Sequence, residues 1–257
     1  MNAYGHIKVG AAKLLGEKNI GYLDYFLKRE LKESWEGPFN GQHCRQRIFS
    51  DLMTRVAFKA IVETGTFRGT TTEFLATFGL PVYTVEANAR FYAYSALRLF
   101  RQRHKIHRNQ GDSPTFLRGL ANNAQFPKEE VFFYLDAHWG EDLPLRDEIE
   151  VIFTNWNGAV VMVDDFQVPG TDYGYDDYGP GKVLNMSYLE PIQYLQLHAF
   201  FPAAEAKQET GAKRGCVVLC RDEALTNALG KIDTLTPWDK DYFLQTGLAS
   251  TRKEVLR

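Results

Sequence analysis

Between Lys59 and Val163 short apolar runs alternate with stretches of helical periodicity, five times over. The runs are Ala60–Glu63, Val82–Glu86, Lys105–Arg108, Val131–Asp136 and Ala159–Val163. Between them, residues 70–78, 89–102, 113–122 and 144–153 place apolar side chains three and four apart, which defines one helical face. A chain that repeats strand and helix in this way is confined to a parallel sheet covered by helices on both faces. Val131-Phe132-Phe133-Tyr134-Leu135 and Ala159-Val160-Val161-Met162-Val163 are continuously apolar, as strands buried on both faces must be. Ser113 reads as a helix N-cap, with Pro114 at the first helical position.

The flanks are less regular. Helices are expected over Tyr22–Lys32 and Gln42–Ala57, with a Gly/Pro turn at 35–41 between them. Residues 1–57 read as an N-terminal helical lid or oligomerisation segment, and 58–257 as the sheet domain. After a Gly/Tyr/Asp-rich loop at 167–184 we expect a helix near Met186–Leu197, then strands at His198–Glu205 and Gly215–Cys220. Cys44, Cys216 and Cys220 are too few and too scattered for a disulfide framework. Cys216 and Cys220 would lie roughly 13 Å apart along one strand, too far to share a metal. Thirty Lys+Arg against thirty-two Asp+Glu leave a net charge of −2, without the basic excess of a nucleic-acid-binding face. No signal-peptide core and no run of eighteen apolar residues is found. The reading is cytoplasmic, and the sequon at Asn185-Met186-Ser187 is taken as chance.

Parallel sheets bind ligands at the carboxyl ends of their strands. After the first run stands Glu63-Thr64-Gly65-Thr66-Phe67-Arg68-Gly69. Its glycines permit a tight turn and close approach to a ligand, although it is neither the G-x-G-x-x-G fingerprint nor a P-loop. Glu86 ends the second run, where one carboxylate suits the two hydroxyls of a ribose. Gly111-Asp112-Ser113 follows the third run. There an acid at a helix start either reaches an adenine amino group or caps the helix. Asp136 and His138 follow the fourth run, and Asp164-Asp165 the fifth. Neighbouring strands would gather these three carboxylates, and close carboxylates repel unless protonated or bridged by a cation. Hard oxygen ligands suit Mg²⁺ or another divalent ion.

The order of these motifs resembles the class I S-adenosylmethionine-dependent methyltransferases, over about residues 59–221. The resemblance rests on Val62-Glu63-Thr64-Gly65-Thr66, Val85-Glu86 and Gly111-Asp112-Ser113. It implies a Rossmann-like α/β fold with a seven-stranded, mostly parallel sheet and an antiparallel last strand. It also implies S-adenosylmethionine as cofactor, with Glu63 and Gly65 near its amino-acid and sulfonium part. Asp136 with the pair Asp164-Asp165 is similar to the pattern of the metal-dependent macrocin-type O-methyltransferases and the related cephalosporin-biosynthesis proteins. That likeness implies metal ligands at Asp136, Asp164 and Asp165, and a general base at His138. A metal-free variant, with Asp136 or His138 acting on the substrate directly, stays open.

The expected activity is transfer of a methyl group to a hydroxyl of a small molecule, a glycosylated natural product being the favoured class. N-methylation, or a non-catalytic cofactor-binding partner of the same fold, remains the alternative. The 167–184 loop, with Tyr173, Tyr175 and Tyr178, offers stacking area for a sugar. No nucleic-acid or membrane partner is expected. A homo-oligomer is left open.

Overall fold

The computed structural model describes residues 16–138 and 143–238. Eight strands form one sheet: β1 (Ala60–Thr64), β2 (Val82–Glu86), β3 (Ile106–Gln110), β4 (Val131–Leu135), β5 (Val160–Val163), β6 (His198–Pro202), β7 (Val217–Cys220) and β8 (Leu235–Pro237). Their order is β3-β2-β1-β4-β5-β7-β6-β8. β1 to β5 are parallel, and β7 enters antiparallel between β5 and β6. The Rossmann-like sheet expected from the sequence is therefore present, with an eighth strand added antiparallel to β6 at the edge. β8 is three residues long and ends in Pro237, too short and too weakly patterned to read as a strand from sequence.

Among the described residues seven α-helices accompany the sheet: α1 (Glu17–Leu27), α2 (His43–Arg55), α3 (Thr70–Leu75), α4 (Ala89–Arg98), α5 (Ser113–Asn122), α6 (Leu145–Asn155) and α7 (Glu223–Leu229). The first starts earlier than the sequence suggests and hands over to a 3₁₀ helix at Arg29–Glu36. The Met186–Leu195 segment is also 3₁₀, because Pro191 inside it removes a backbone donor. The cap of α5 is Asp112, not Ser113: its carboxylate accepts the Thr115 N–H at 2.9 Å. Asp112 stands before the first helical residue, where a side-chain acceptor reaches the free N–H groups.

Alternation along the strands divides the core in two. Val62, Phe133, Leu135, Val161 and Val163 face α5 and α6. Ile61, Phe132, Tyr134, Val160 and Met162 face the other way, onto Phe39, Ile48, Phe49 and Leu52 of the N-terminal region. Residues 39–56 are thus part of the sheet's own core. α2 begins without a local side-chain cap. Instead Glu209, from the β6–β7 connection, accepts the Cys44 and Arg45 N–H groups at 2.9 and 3.1 Å. That long-range cap fixes α2 against the carboxyl ends of β4 and β5.

Candidate active site

Strand order reverses around β1 and β4, and the glycine turn after β1 crosses that point. Gly65 has φ +87°, and a Cβ there would lie 2.2 Å from the carbonyl oxygen of Asp136. Glycine is thus required both by the backbone conformation and by the approach of β4. The Gly65 and Thr66 N–H groups both donate to the Val85 carbonyl at 3.1 Å, tying the turn to the end of β2. Glu86 closes the same corner: one oxygen accepts the Phe67 N–H at 2.7 Å, the other the Asn88 N–H at 2.8 Å. Burial raises its carboxyl pKa, against the effect of those two bonds.

Glu63 turns under the loop. Thr72 and Thr84 donate their hydroxyls to its Oε2 at 2.5 and 2.6 Å. Since Thr84 spends its proton on Glu63, Thr66 must be the donor in the 2.5 Å Thr66–Thr84 contact. Burial carries the Glu63 pKa up to about 7, in spite of the two hydroxyls. The Thr64 hydroxyl is buried with no hydrogen-bond partner among the described residues. Beside β2, a cavity of about 310 Å³ is lined by Val85, Gln110, Gly111, Asp112, Thr115 and Phe116 among others. Asp112 and Ser113 therefore stand at the expected corner, but the Asp112 carboxylate is already occupied as a helix cap.

The ends of β4 and β5 bring Asp136, His138 and Asp165 together, and give two acids adjacent in sequence different partners. Asp164 is fully buried and points at α2. Its Oδ1 pairs with Nη1 of Arg45, and its Oδ2 accepts the Tyr134 hydroxyl at 2.5 Å. Asp165 takes φ +52°, a left-handed conformation that Asp tolerates better than most residues. Its carboxylate pairs with Arg214, whereas the Tyr134 hydroxyl on Asp164 also lies 3.5 Å from Asp136. One ligand atom each from Asp136, His138 and Asp165 lie within 4.8 Å of one another. The expected trio of Asp136, Asp164 and Asp165 is thus split: Asp164 is committed to Arg45 and Tyr134, and His138 stands in its place.

His138 is buried, and neither ring nitrogen has a hydrogen-bond partner among the described residues. Burial lowers its pKa, outweighing the Asp165 and Asp176 carboxylates, so the ring is neutral near pH 7. Asp136 is half-buried; burial first and the Asp165 carboxylate second raise its pKa well above the ordinary range, with Arg45 opposing. Arg45 stays charged: burial alone would lower its pKa, but the surrounding acidic groups together hold it above the usual value.

The 167–184 loop lies against this cluster. Its Asp176 N–H donates to the Asp165 carbonyl at 2.9 Å, and its Gly174 N–H to the Lys213 carbonyl at 3.0 Å. Asp176 reaches to 4.0 Å from His138 Nε2 and accepts the Tyr178 hydroxyl. Arg214 bridges Asp165, at 2.6 Å, and Asp176. Of the loop tyrosines, Tyr173 turns into the core and donates to the Ala204 carbonyl at 3.0 Å, leaving Tyr175 exposed and Tyr178 half-buried. Arg45, Asp176 and Arg214 were not read as site residues. No motif marks Arg45 or Arg214, because a helix and a turn remote in sequence deliver them. Asp176 was legible only as one acid in a tyrosine-rich loop.

No family model and no curated protein matches the sequence. Among solved structures, the chain is similar to an O-methyltransferase from Bacillus cereus in complex with SAH, at 17% identity, over 69% of this chain and 81% of that one, with a TM-score of 0.49. It is also similar to TomG, an O-methyltransferase of tomaymycin synthesis from Streptomyces achromogenes in complex with SAM, at 17% identity, 69% and 78% coverage, and a TM-score of 0.48. An rRNA methylase from Streptococcus thermophilus matches at 15% identity, 70% and 97% coverage, and a TM-score of 0.44. Among the described residues no helix is long and apolar enough to cross a membrane. The chemistry of this chain therefore has to be argued from its own site.

Proposed function

We propose that the chain is an S-adenosylmethionine-dependent O-methyltransferase acting on a hydroxyl of a small molecule, with a divalent cation held by Asp136, His138 and Asp165. The observation that carries the reading is the convergence of these three side chains beside the Gly65 turn, at the carboxyl edge of the sheet. Two carboxylates and a buried imidazole with unpartnered nitrogens form a donor set that fits a cation. The nitrogen favours Mn²⁺, Fe²⁺ or Zn²⁺ more than the all-oxygen set that suits Mg²⁺. We assign Asp164 to holding the end of β5 through Arg45 rather than to the cation.

When bound, the sulfonium cofactor supplies an electrophilic methyl group and the cation lowers the pKa of the acceptor hydroxyl. The protein's part is placement. Glu86 keeps free lone pairs on both oxygens for a ribose diol, and the missing Cβ of Gly65 lets the turn close against the end of β4 beside them. The cavity beside Gly111 and Asp112 has room for a flat base. Tyr175 and Tyr178 offer the aromatic surface for an acceptor, which supports a sugar-bearing molecule as substrate class.

A second reading keeps His138 as general base with no cation. It is favoured by the neutral ring and by Asp176 lying 4.0 Å from Nε2. There the imidazole takes the hydroxyl proton while the oxygen–methyl bond forms and the sulfur–methyl bond breaks, leaving S-adenosylhomocysteine.

Calorimetry with S-adenosylhomocysteine tests the common core of both readings. Binding in the micromolar range is expected, and no heat at millimolar ligand would remove the methyltransferase function. Asp165→Ala and chelator then divide the two: loss of methyl transfer in both supports the cation, and unchanged turnover in both leaves His138 as base. Binding without transfer across a broad panel of hydroxyl and amine acceptors would identify a non-catalytic partner protein.

A further inference from the structure

Arg214 stands between the carboxylate cluster and the loop that covers it. Its backbone is anchored on three sides. Its N–H donates to Oε1 of the buried Gln42, its carbonyl accepts from Arg45, and the adjoining Gly215 N–H donates to the Gly174 carbonyl at 2.7 Å. The side chain is less confined, being 28% exposed. Its guanidinium spans Asp165 and Asp176, and Asp165 is one of the three donors around the cation seat.

Two cations stand beside these acids and are held differently. Arg45 is buried and paired with Asp164, whereas Arg214 is partly exposed and shares Asp165 with the seat. Two positive groups drawing on one carboxylate repel each other, and the more so in a site partly withdrawn from water.

We propose that Arg214 is a built-in competitor for the cation: it occupies Asp165 until a divalent ion displaces it, and so sets the affinity and the selectivity threshold of the seat. This rests on the cation reading above. Arg214 does not touch the reacting atoms; it acts through Asp165 as a positioning residue.

The test is Mn²⁺ titration followed by electron paramagnetic resonance of the free ion, on the full chain, with no turnover required. Arg214→Met should bind Mn²⁺ at least tenfold more tightly than the unaltered protein, and Arg214→Lys, which keeps the charge, should stay within a few-fold of it. Asp165→Asn should abolish binding in either background, which locates the ion. A second measurement uses the unaltered protein, in case the Met variant does not fold. The Arg214 Nε–H resonance, identified by its loss in Arg214→Lys, should shift and exchange faster with water as Mg²⁺ or Zn²⁺ is added. Equal or weaker Mn²⁺ binding by folded Arg214→Met, or an Nε–H signal indifferent to a bound ion, overturns the competition while leaving the seat intact. Mn²⁺ binding to neither protein removes the seat, and with it this proposal, without touching cofactor binding.

Discussion

Glu63 gives the clearest quantitative handle on the site. Its carboxyl is carried from an ordinary 4.5 to about 7 by burial, so the folded state holds a proton that the unfolded chain has released between those values. At about 1.4 kcal/mol for each tenfold change in proton affinity, the shift corresponds to roughly 3 kcal/mol. The sign follows from linkage. A group whose pKa is raised on folding contributes nothing adverse below its unfolded pKa, and stability falls as pH climbs through the folded value. Less than 1 kcal/mol is lost by pH 5 and nearly the whole by pH 8, a difference of about 2–3 kcal/mol. Glu63→Gln cannot titrate. Its amide oxygen can still accept from Thr72 and Thr84, while its NH₂ group adds a constant, pH-independent cost of about 1–3 kcal/mol if left unpaired. The decisive quantity is therefore the change with pH of the stability difference between variant and unaltered protein. Urea unfolding at pH 5 and pH 8 should show that difference moving in favour of the variant by about 2–3 kcal/mol. A difference constant to within about 0.5 kcal/mol would mean that Glu63 is ionised in the fold, and that burial does not control it.

Other outcomes follow from the same geometry. Arg45→Met strands the Asp164 carboxylate in the interior, which should cost about 3–5 kcal/mol in chemical denaturation, whereas Arg45→Met with Asp164→Leu should recover most of that loss. Gly65→Ala drives a methyl group into the Asp136 carbonyl at a positive φ; calorimetry should show S-adenosylhomocysteine binding weakened at least tenfold, and unchanged affinity would place the cofactor elsewhere. Asp112→Ala should remove about 1 kcal/mol of stability as a lost cap, and cofactor affinity that falls along with it would show the carboxylate also serving as a ligand.

The sheet was legible because its signal is local and repeated. An alternation of apolar strands with one-faced helices from β1 to β5 has few other ways to fold, and the strand ends then name their own residues: Glu63, Glu86, Asp136 and Asp165 all stand where a strand runs out. Direction at those ends was less legible. Asp164 and Asp165 are adjacent acids in the sequence, and which of them pairs with the buried Arg45 and which with Arg214 depends on residues remote in the chain. Likewise Asp112 and Ser113 are both competent caps, and the choice between them depends on where the first helical turn begins. Tyr173 looked like a companion of Tyr175 and Tyr178, yet its position opposite Ala204 draws it into the core.

The largest gap lies in residues 39–56, part of the 1–57 segment that reads as a lid or an oligomerisation surface; residues 1–15 of that segment lie outside the described residues. Their amphipathic pattern shows that they pack on something, but not that it is the same sheet that carries the site. Three polar side chains decide it. Glu209 caps α2 through Cys44 and Arg45, Gln42 takes the Arg214 N–H, and Arg45 reaches Asp164 and the carbonyls of Arg214 and Gly215. Each joins residues far apart in the chain, so no local pattern can announce them. Their joint effect is to run one set of contacts from α2 through the β6–β7 connection to the acids at the end of β5. A lid can open without disturbing what lies beneath it; α2 cannot, because withdrawing it would leave Asp164 buried without its counter-charge. Residues 39–56 therefore belong to the floor beneath the acids, and among the described residues it is the 167–184 loop, held through Arg214, that lies over them.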